Sequence, residues 1–468
     1  MNARRVPGRL LVTLRLGEMP DDIPSWAAVR RHGVALAARI DGGPIDRLLR
    51  HHGSAMRCAR LHTSRLPREH RPGVPGARRF DDIEQLSGVA RVLRIDVADD
   101  GGVPELLQAL AQVTSVESAR VDTLCHTPFD AVPRAPARQP LDARAAWLSR
   151  EQIRLSQALA LEPGDPAVVV GLADTGVQAA NAELLKRLRP GFDTVDLDAS
   201  IAGELTLVGD NASRDEEPLD EVGHGTACAG ILRAGGARLP PGAIGDCGLV
   251  PVRVLGAALS GRRRIGIGAL ANIDAGMKRL IDLGTKVINM SFGTPESALT
   301  ATDPKPHDEV VRYALARGVL LVAASGNSGL EECYYPAASQ GVIAVGASDL
   351  DGASVAAFST RGAHVALCAP GRSIWSCGLD GVQKVSGTSF ASPFVAAVCA
   401  LLIARAERRA WPLSAALARH ILTQTAQPFR DTAARGSGSG TLDALAALRR
   451  LDTEIDDALA ARTGEDDR

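Results

Sequence analysis

Six short runs of almost purely apolar residues, most closed by a polar or glycine-bearing turn, constrain this chain more than any other feature. They lie at 167–173, Leu249–Leu255, Val287–Ser291, Val319–Ala324, Val342–Ala347 and Val365–Ala369. Runs that stay apolar instead of alternating read as strands buried on both faces. Helix-like stretches, notably Ile265–Leu283 and His307–Ala316, lie between several of them. Strands that alternate with helices predict an α/β fold, a mostly parallel sheet with helices on both faces. Sheets of this kind place their ligands at the carboxyl ends of the strands. The turns that close the runs are therefore where chemistry is expected.

Four such places carry reactive side chains. The first run ends in Asp174-Thr175-Gly176, and the run at 319–324 ends in Ser325-Gly326-Asn327. Gly223-His224-Gly225-Thr226 opens a helix-like stretch of small residues. Ser386-Gly387-Thr388-Ser389 delivers a serine into the apolar stretch Phe394–Ala404, with Pro393 in the first turn, where a missing amide costs little. Each has an ordinary structural reading: a turn Asp, a turn Asn, a core histidine, a helix-capping Ser. A serine nucleophile nevertheless needs a base held by a third group. An Asn amide can donate to a developing oxyanion, and the positive end of a helix favours one.

Together the four segments resemble the subtilisin-like serine protease family (subtilases, peptidase S8), over roughly Pro163 to Leu448. The order is Asp174, His224 fifty residues on (224 − 174), Asn327 and then Ser389; Asp, His, Ser is the family's order. The resemblance implies that Ser389 is the nucleophile and His224 the base and then the acid. It implies that Asp174 orients the imidazole, and that Asn327 with the Ser389 amide forms the oxyanion hole. Ser291, Phe292 and Gly293 match the edge that pairs with an extended peptide and lines one wall of the P1 pocket, which takes the side chain of the residue whose carbonyl is attacked. The turn at 438–444 matches the family's closing turn. The activity implied is a serine endopeptidase acting on protein or peptide substrates, with no cofactor needed for the chemistry.

Several positions depart from the pattern or leave a choice. Cys228, beneath His224, is either a small packed residue or a redox-sensitive thiol. The acidic stretch before His224, including Asp210 and Asp215, resembles a structural Ca²⁺ loop; the alternative is a solvated acidic insert. Asp220 in the same stretch is a candidate to face the P2 or P4 side chain of a substrate. Glu331 and Glu332 follow Asn327, and if they face the P1 pocket they favour Arg or Lys there.

At 468 residues the chain exceeds one such module, so a second domain is expected. Residues 1–122 read as a small α+β domain: strands at Arg9–Leu16, Gly33–Ile40, Ala90–Val97 and Val116–Val121, helices at Pro44–His51 and Val103–Val113. A domain of this kind resembles a prodomain, which implies that it binds the chain's own active site through the strand ending near Asp122. Residues 123–146 read as a proline-rich linker, 147–450 as the catalytic domain, with lead-in helices over Trp147–Ala160, and 451–468 as an acidic tail. The net charge of −1 argues against nucleic acid as a partner. No run of 18 apolar residues predicts a membrane span. The N-terminus lacks a signal-peptide pattern and the eight cysteines form no paired motif. A cytoplasmic location is therefore expected, with export by another route as the alternative. Two other functions fit the same residues: a processing protease dedicated to one partner or precursor peptide, and a catalytically silent binding protein.

Overall fold

The computed structural model describes residues 5–65, 80–127, 141–198, 205–212, 215–299, 303–430 and 434–466. Four strands build the N-terminal sheet: β1 (Arg5–Leu14), β2 (Met56–Arg60), β3 (Val92–Val97) and β4 (Val116–His126). The catalytic region adds β5 (Val169–Asp174), β6 (Phe192–Asp193), β7 (Thr206–Leu207), β8 (Gly248–Arg253), β9 (Gly256–Ser260) and β10 (Arg263–Ala269). It continues with β11 (Val287–Met290), β12 (Thr294–Pro295), β13 (Leu320–Ala324), β14 (Tyr334–Tyr335), β15 (Ile343–Ser348) and β16 (Val365–Pro370).

The six apolar runs all become strands of one parallel sheet, in the order β16-β15-β13-β11-β5-β8-β6. The fold is α/β, as the runs predict. The helix Thr388–Arg408 packs against this sheet and is buried on nearly every side. It is long and apolar enough to cross a membrane, with mean hydropathy 1.8, but 94% of its apolar window lies inside the protein. It is a core helix, and its apolar circumference reflects enclosure by protein.

A second sheet joins the two parts of the chain. Its order is β2-β3-β1-β4-β10-β9-β7, and its pairings are antiparallel. β4 pairs with β1 through Val116–Val121, and then with β10 through Leu124–His126. One strand thus begins in the N-terminal domain and ends in the catalytic region. The interface also buries several ion pairs. Glu309 receives Arg120 at 2.8 Å and the Thr13 hydroxyl at 2.7 Å, and Lys278 Nζ sits 2.7 Å from Glu84. Asp122, fully buried, accepts the Ala271 amide at 3.1 Å and so caps the helix Leu270–Asp282 from across the interface. His307 links Asp274, at 2.5 Å from Nδ1, to the Cys125 thiol, at 3.5 Å from Nε2. Burial alone would lower the His307 pKa, but the Asp274 carboxylate outweighs it and raises the value to about 10.

Several expected boundaries move. Gly33–Ile40 is no strand: Gly33 caps the helix Trp26–His32, and the alanine-rich stretch makes one bridge, Ala37 to Cys58. The helix expected at Ile265–Leu283 starts at Leu270, because Ile265 and Ile267 alternate with glycines in a strand beside β4. The expected linker at 123–146 loses both ends, four residues to β4 and residues from Ala143 on to the helix Ala143–Gln152; its centre lies outside the described residues. The acidic tail is the end of a helix, Ala444–Asp466. Its Leu448, Leu451 and Ile455 are buried at helical spacing, and Asp452 and Asp456 pair with Arg405 and Arg409. The eight cysteines are unpaired.

The buried Glu309 makes this interface sensitive to acid. Burial raises a carboxyl pKa, but the Arg120 guanidinium and the bonds from Arg120 and Thr13 hold Glu309 at about 2, against 4.5 for the free group. The folded value is depressed, so the stabilisation is complete above about pH 4.5 and is lost as pH falls toward 2. Glu309→Gln is expected to cost about 3 kcal/mol at neutral pH, because it leaves Arg120 buried without its counter-charge. It should also flatten the loss of stability between pH 4.5 and 2. Thermal melts across that range check this, and an acid limb identical in both proteins would contradict it.

Candidate active site

Asp174 is the last residue of β5 and is fully buried. Its Oδ1 lies 2.7 Å from His224 Nδ1 and accepts the Thr175 amide at 2.7 Å. His224 is the first residue of the helix His224–Arg233, so the strand end and the helix start must be held in register. Asp220 does this. Its Oδ1 accepts the Thr175 hydroxyl and the amides of Val222 and Gly223, each at 2.8 Å. Its Oδ2 accepts the Thr226 amide at 2.9 Å and hydroxyl at 2.6 Å. The two threonines extend the clamp, Thr175 Oγ1 to the Gly225 amide and Thr226 Oγ1 to the Gln178 amide, each at 2.9 Å. The approach is so close that a Cβ on Gly225 would stand 2.2 Å from the Gly176 carbonyl.

Asp220 therefore does not face a substrate, contrary to the sequence expectation. It is 2% exposed and its oxygens are occupied by five donors from the loops around Asp174 and His224. Thr175 and Thr226 were missed as site residues. Their only sequence signal is position, one residue after Asp174 and two after His224.

Ser389 is the second residue of the helix Thr388–Arg408, where backbone amides lack intrahelical acceptors. Its hydroxyl donates to the Ser291 carbonyl at 3.4 Å. Its own carbonyl accepts the Ser291 hydroxyl at 2.9 Å and the Cys228 thiol at 3.4 Å. The Phe390 ring stands 5.2 Å from that of His224. Asn327, after β13, accepts both the Thr388 amide and the Thr388 hydroxyl through Oδ1, at 2.9 Å. An amide donor demands the carbonyl oxygen there, so the Asn327 NH₂ is left on the side of Gly387, 3.1 Å from where a Cβ on that glycine would stand.

The remaining predicted residues divide. Ser291 and Phe292 are buried: Ser291 holds Ser389, and Phe292 packs on His307 with ring centroids 5.8 Å apart. Gly293 does present its backbone, and its amide donates to the His126 carbonyl at 3.5 Å in an antiparallel bridge. Glu331 is exposed on a backbone bridge to Arg361, and Glu332 accepts the Ser297 hydroxyl at 2.5 Å. Cys228 is packed, and burial beside Asp174 pushes its thiol well above the usual range. Its sulfur, with the Asp174 and His224 donor atoms, is the one close His/Cys/acid group among the described residues.

Among the described residues, Asp210 and Asp215 belong to no close group of three His, Cys or acidic side chains. Each carboxylate caps its own turn, on the Ala212 and Glu217 amides. The positive charge in this loop belongs to Arg253, which is buried against Asp193 at 2.6 Å and Glu221 at 2.8 Å and also donates to the Asp210 carbonyl.

The subtilase family profile (Peptidase_S8) matches residues 165–445, well over half of the chain. This chain belongs to the subtilase family. It is 32% identical over 281 residues to the thermophilic serine proteinase of Bacillus sp. (strain AK1), an alignment that spans 59% of each chain, and so less than two thirds of that relative. It is 34% identical over 286 residues to Subtilisin BL of Lederbergia lenta, over 60% of this chain and 93% of the relative. The solved structure of the prenylagaramide maturation protease PagA has the same fold, with TM-score 0.50 and 24% identity over 64% of this chain and 98% of that one.

The clamp makes a specific demand. Asp220→Ala removes five hydrogen bonds to a buried carboxylate, each worth about 1.5–3 kcal/mol. Part of that loss is recovered by relaxation, so a net destabilisation of roughly 3–5 kcal/mol is expected. A denaturation midpoint within error of the parent protein would show that Asp220 does not hold the two loops.

Proposed function

We propose that this chain is a serine endopeptidase that cleaves protein or peptide substrates through an acyl-enzyme on Ser389. The observation that carries the reading is convergence at one helix start. Asp174 and His224 pair at 2.7 Å, the His224 ring stands 5.2 Å from that of Phe390, the residue after Ser389, and Asn327 bonds to Thr388, the residue before it. In this reading the Ser389 hydroxyl turns from the Ser291 carbonyl to His224, gives up its proton and attacks the scissile carbonyl. Asn327 and the Ser389 amide stabilise the resulting oxyanion. His224 then passes the proton to the departing amine, and water repeats the sequence on the ester. Asp174 holds the tautomer and stabilises the imidazolium. Ser291 is a positioning residue, through its hydroxyl on the Ser389 carbonyl.

The test is direct. A fluorophosphonate probe should label Ser389, with no label on Ser389→Ala. Asn327→Ala should lower kcat about 10²–10³-fold with little change in KM, because its bond forms mainly in the transition state. Label retained by Ser389→Ala, or an effect confined to KM in Asn327→Ala, would contradict these roles.

A second reading is supported by one observation. Residues 124–127 lie between β10 and Gly293, with His126 bridged to Gly293 and Thr127 bonded to Gly266 at 2.9 Å. An extended peptide substrate would use the same backbone partners. We infer that the N-terminal domain restrains its own enzyme by placing the end of β4 on the substrate edge. The position is Leu124–Thr127, slightly beyond the expected end near Asp122. Purified protein should show a self-cut after Thr127 that Ser389→Ala lacks, with activity rising as the cut accumulates. Full activity of the uncut chain would refute the restraint.

A further inference from the structure

The space beside Ser389 is bounded by two backbone segments, Ser291–Gly293 and Ser325–Asn327. They converge because Ser291 bonds to Ser389 and Asn327 bonds to Thr388. A peptide carbonyl held between the Ser389 hydroxyl and the Asn327 amide, with its chain paired along Gly293, directs the P1 side chain into the gap between those segments. The Tyr334 ring stands in that gap. A Cβ built on Gly326 would lie 2.7 Å from Tyr334 Cδ2 and 2.8 Å from Cε2. A Cβ built on Gly293 would lie 3.5 Å from Tyr334 Cβ and Cδ1. The ring therefore touches both walls, and each wall is a glycine where it does so.

Its position is held from several sides. β14 pairs with β12, which follows Gly293 directly, so the Tyr334 backbone is anchored to the same edge. The ring is half-buried. Burial and the neighbouring Glu332 carboxylate push the phenol up to about 12, so it stays neutral and does not leave the gap as a phenolate. The Glu332 side chain is in turn bonded to Ser297.

We propose that Tyr334 is the specificity-determining residue of this site: its ring fills the P1 space, so that the enzyme accepts small residues (Gly, Ala, Ser or Thr) at P1 and rejects aromatic and long aliphatic side chains. The substrate class is thus polypeptide with a small residue on the acyl side of the cut bond, not the Arg or Lys that Glu331 and Glu332 suggested. The inference rests on the peptidase reading given above.

The experiment separates the two. Native protein, Tyr334→Gly and Tyr334→Phe are titrated with a fluorophosphonate. Each is then assayed on two otherwise identical peptides with Ala or Phe at P1. The ratio of kcat/KM for the two peptides does not depend on what fraction of enzyme is open. Native protein should favour Ala by about 100-fold, Tyr334→Phe should keep that preference, and Tyr334→Gly should raise Phe cleavage at least about tenfold relative to Ala. Labelled native enzyme with a ratio near one, or a ratio unmoved by Tyr334→Gly, overturns the assignment to Tyr334. If Tyr334→Gly does not fold, a native ratio near one still overturns it. Failure of every protein to label at Ser389 overturns the peptidase reading and this inference with it.

Discussion

Enclosure of one helix organises the molecule. Thr388–Arg408 is covered by β11, β13, β15 and β16, by the histidine helix and by the C-terminal helix. A helix with protein on every side has no freedom to slide or turn without breaking close packing. Its first turn lies at the carboxyl ends of the parallel strands and is itself buried. Ser389 is there, and its carbonyl is held by two bonds, from Ser291 just after β11 and from Cys228 in the helix His224–Arg233. The geometry of Ser389 is therefore a consequence of how the core is packed.

The Asp174–His224 pair depends on a second device, independent of the core helix. Strand end and helix start are separate pieces of chain, and apolar contact alone does not fix polar groups to a fraction of an ångström. A buried carboxylate with five donors does, because moving either loop strands a charged acceptor away from water. Asp220 spans both loops, and Thr175 and Thr226 relay it to the backbone on either side. The clamp and the enclosed helix meet at His224 and Ser389, one from each side.

The N-terminal domain is joined by paired charges, by a shared strand and by Leu11, Leu61, Val89 and Val92, which belong to one apolar cluster with Leu270, Val310 and Ala314. Arg120 with Glu309, Lys278 with Glu84, and Asp122 on the Ala271 amide are specific in direction and distance, so the domain sits in one orientation. That orientation delivers Leu124–Thr127 to the edge beside Gly293. Such charges are costly to bury and costly to leave unpaired, which favours a docked domain that ends its strand at one defined place.

Much of the fold was legible from residue order. Continuous apolar runs identified the parallel strands, and reactive residues at their ends marked Asp174, His224, Asn327 and Ser389 as partners. The hidden parts depended on neighbours distant in sequence. Asp220 looked like one acid among many, and only the tertiary structure surrounded it with donors. Glu331 and Glu332 suggested a basic P1 preference from position alone; only the tertiary structure put Glu331 on a bridge to Arg361 and Glu332 on the Ser297 hydroxyl and beside the Tyr334 phenol. The acidic stretch around Asp210 gave no sign of Arg253, which comes from a strand more than thirty residues later and is buried against Asp193 and Glu221. Local sequence determines which backbone a segment adopts, because period and turn chemistry act between near neighbours. Which charges meet, and which side chain fills a pocket, is decided only when remote segments pack, because Coulomb and steric forces act through space without regard to chain order.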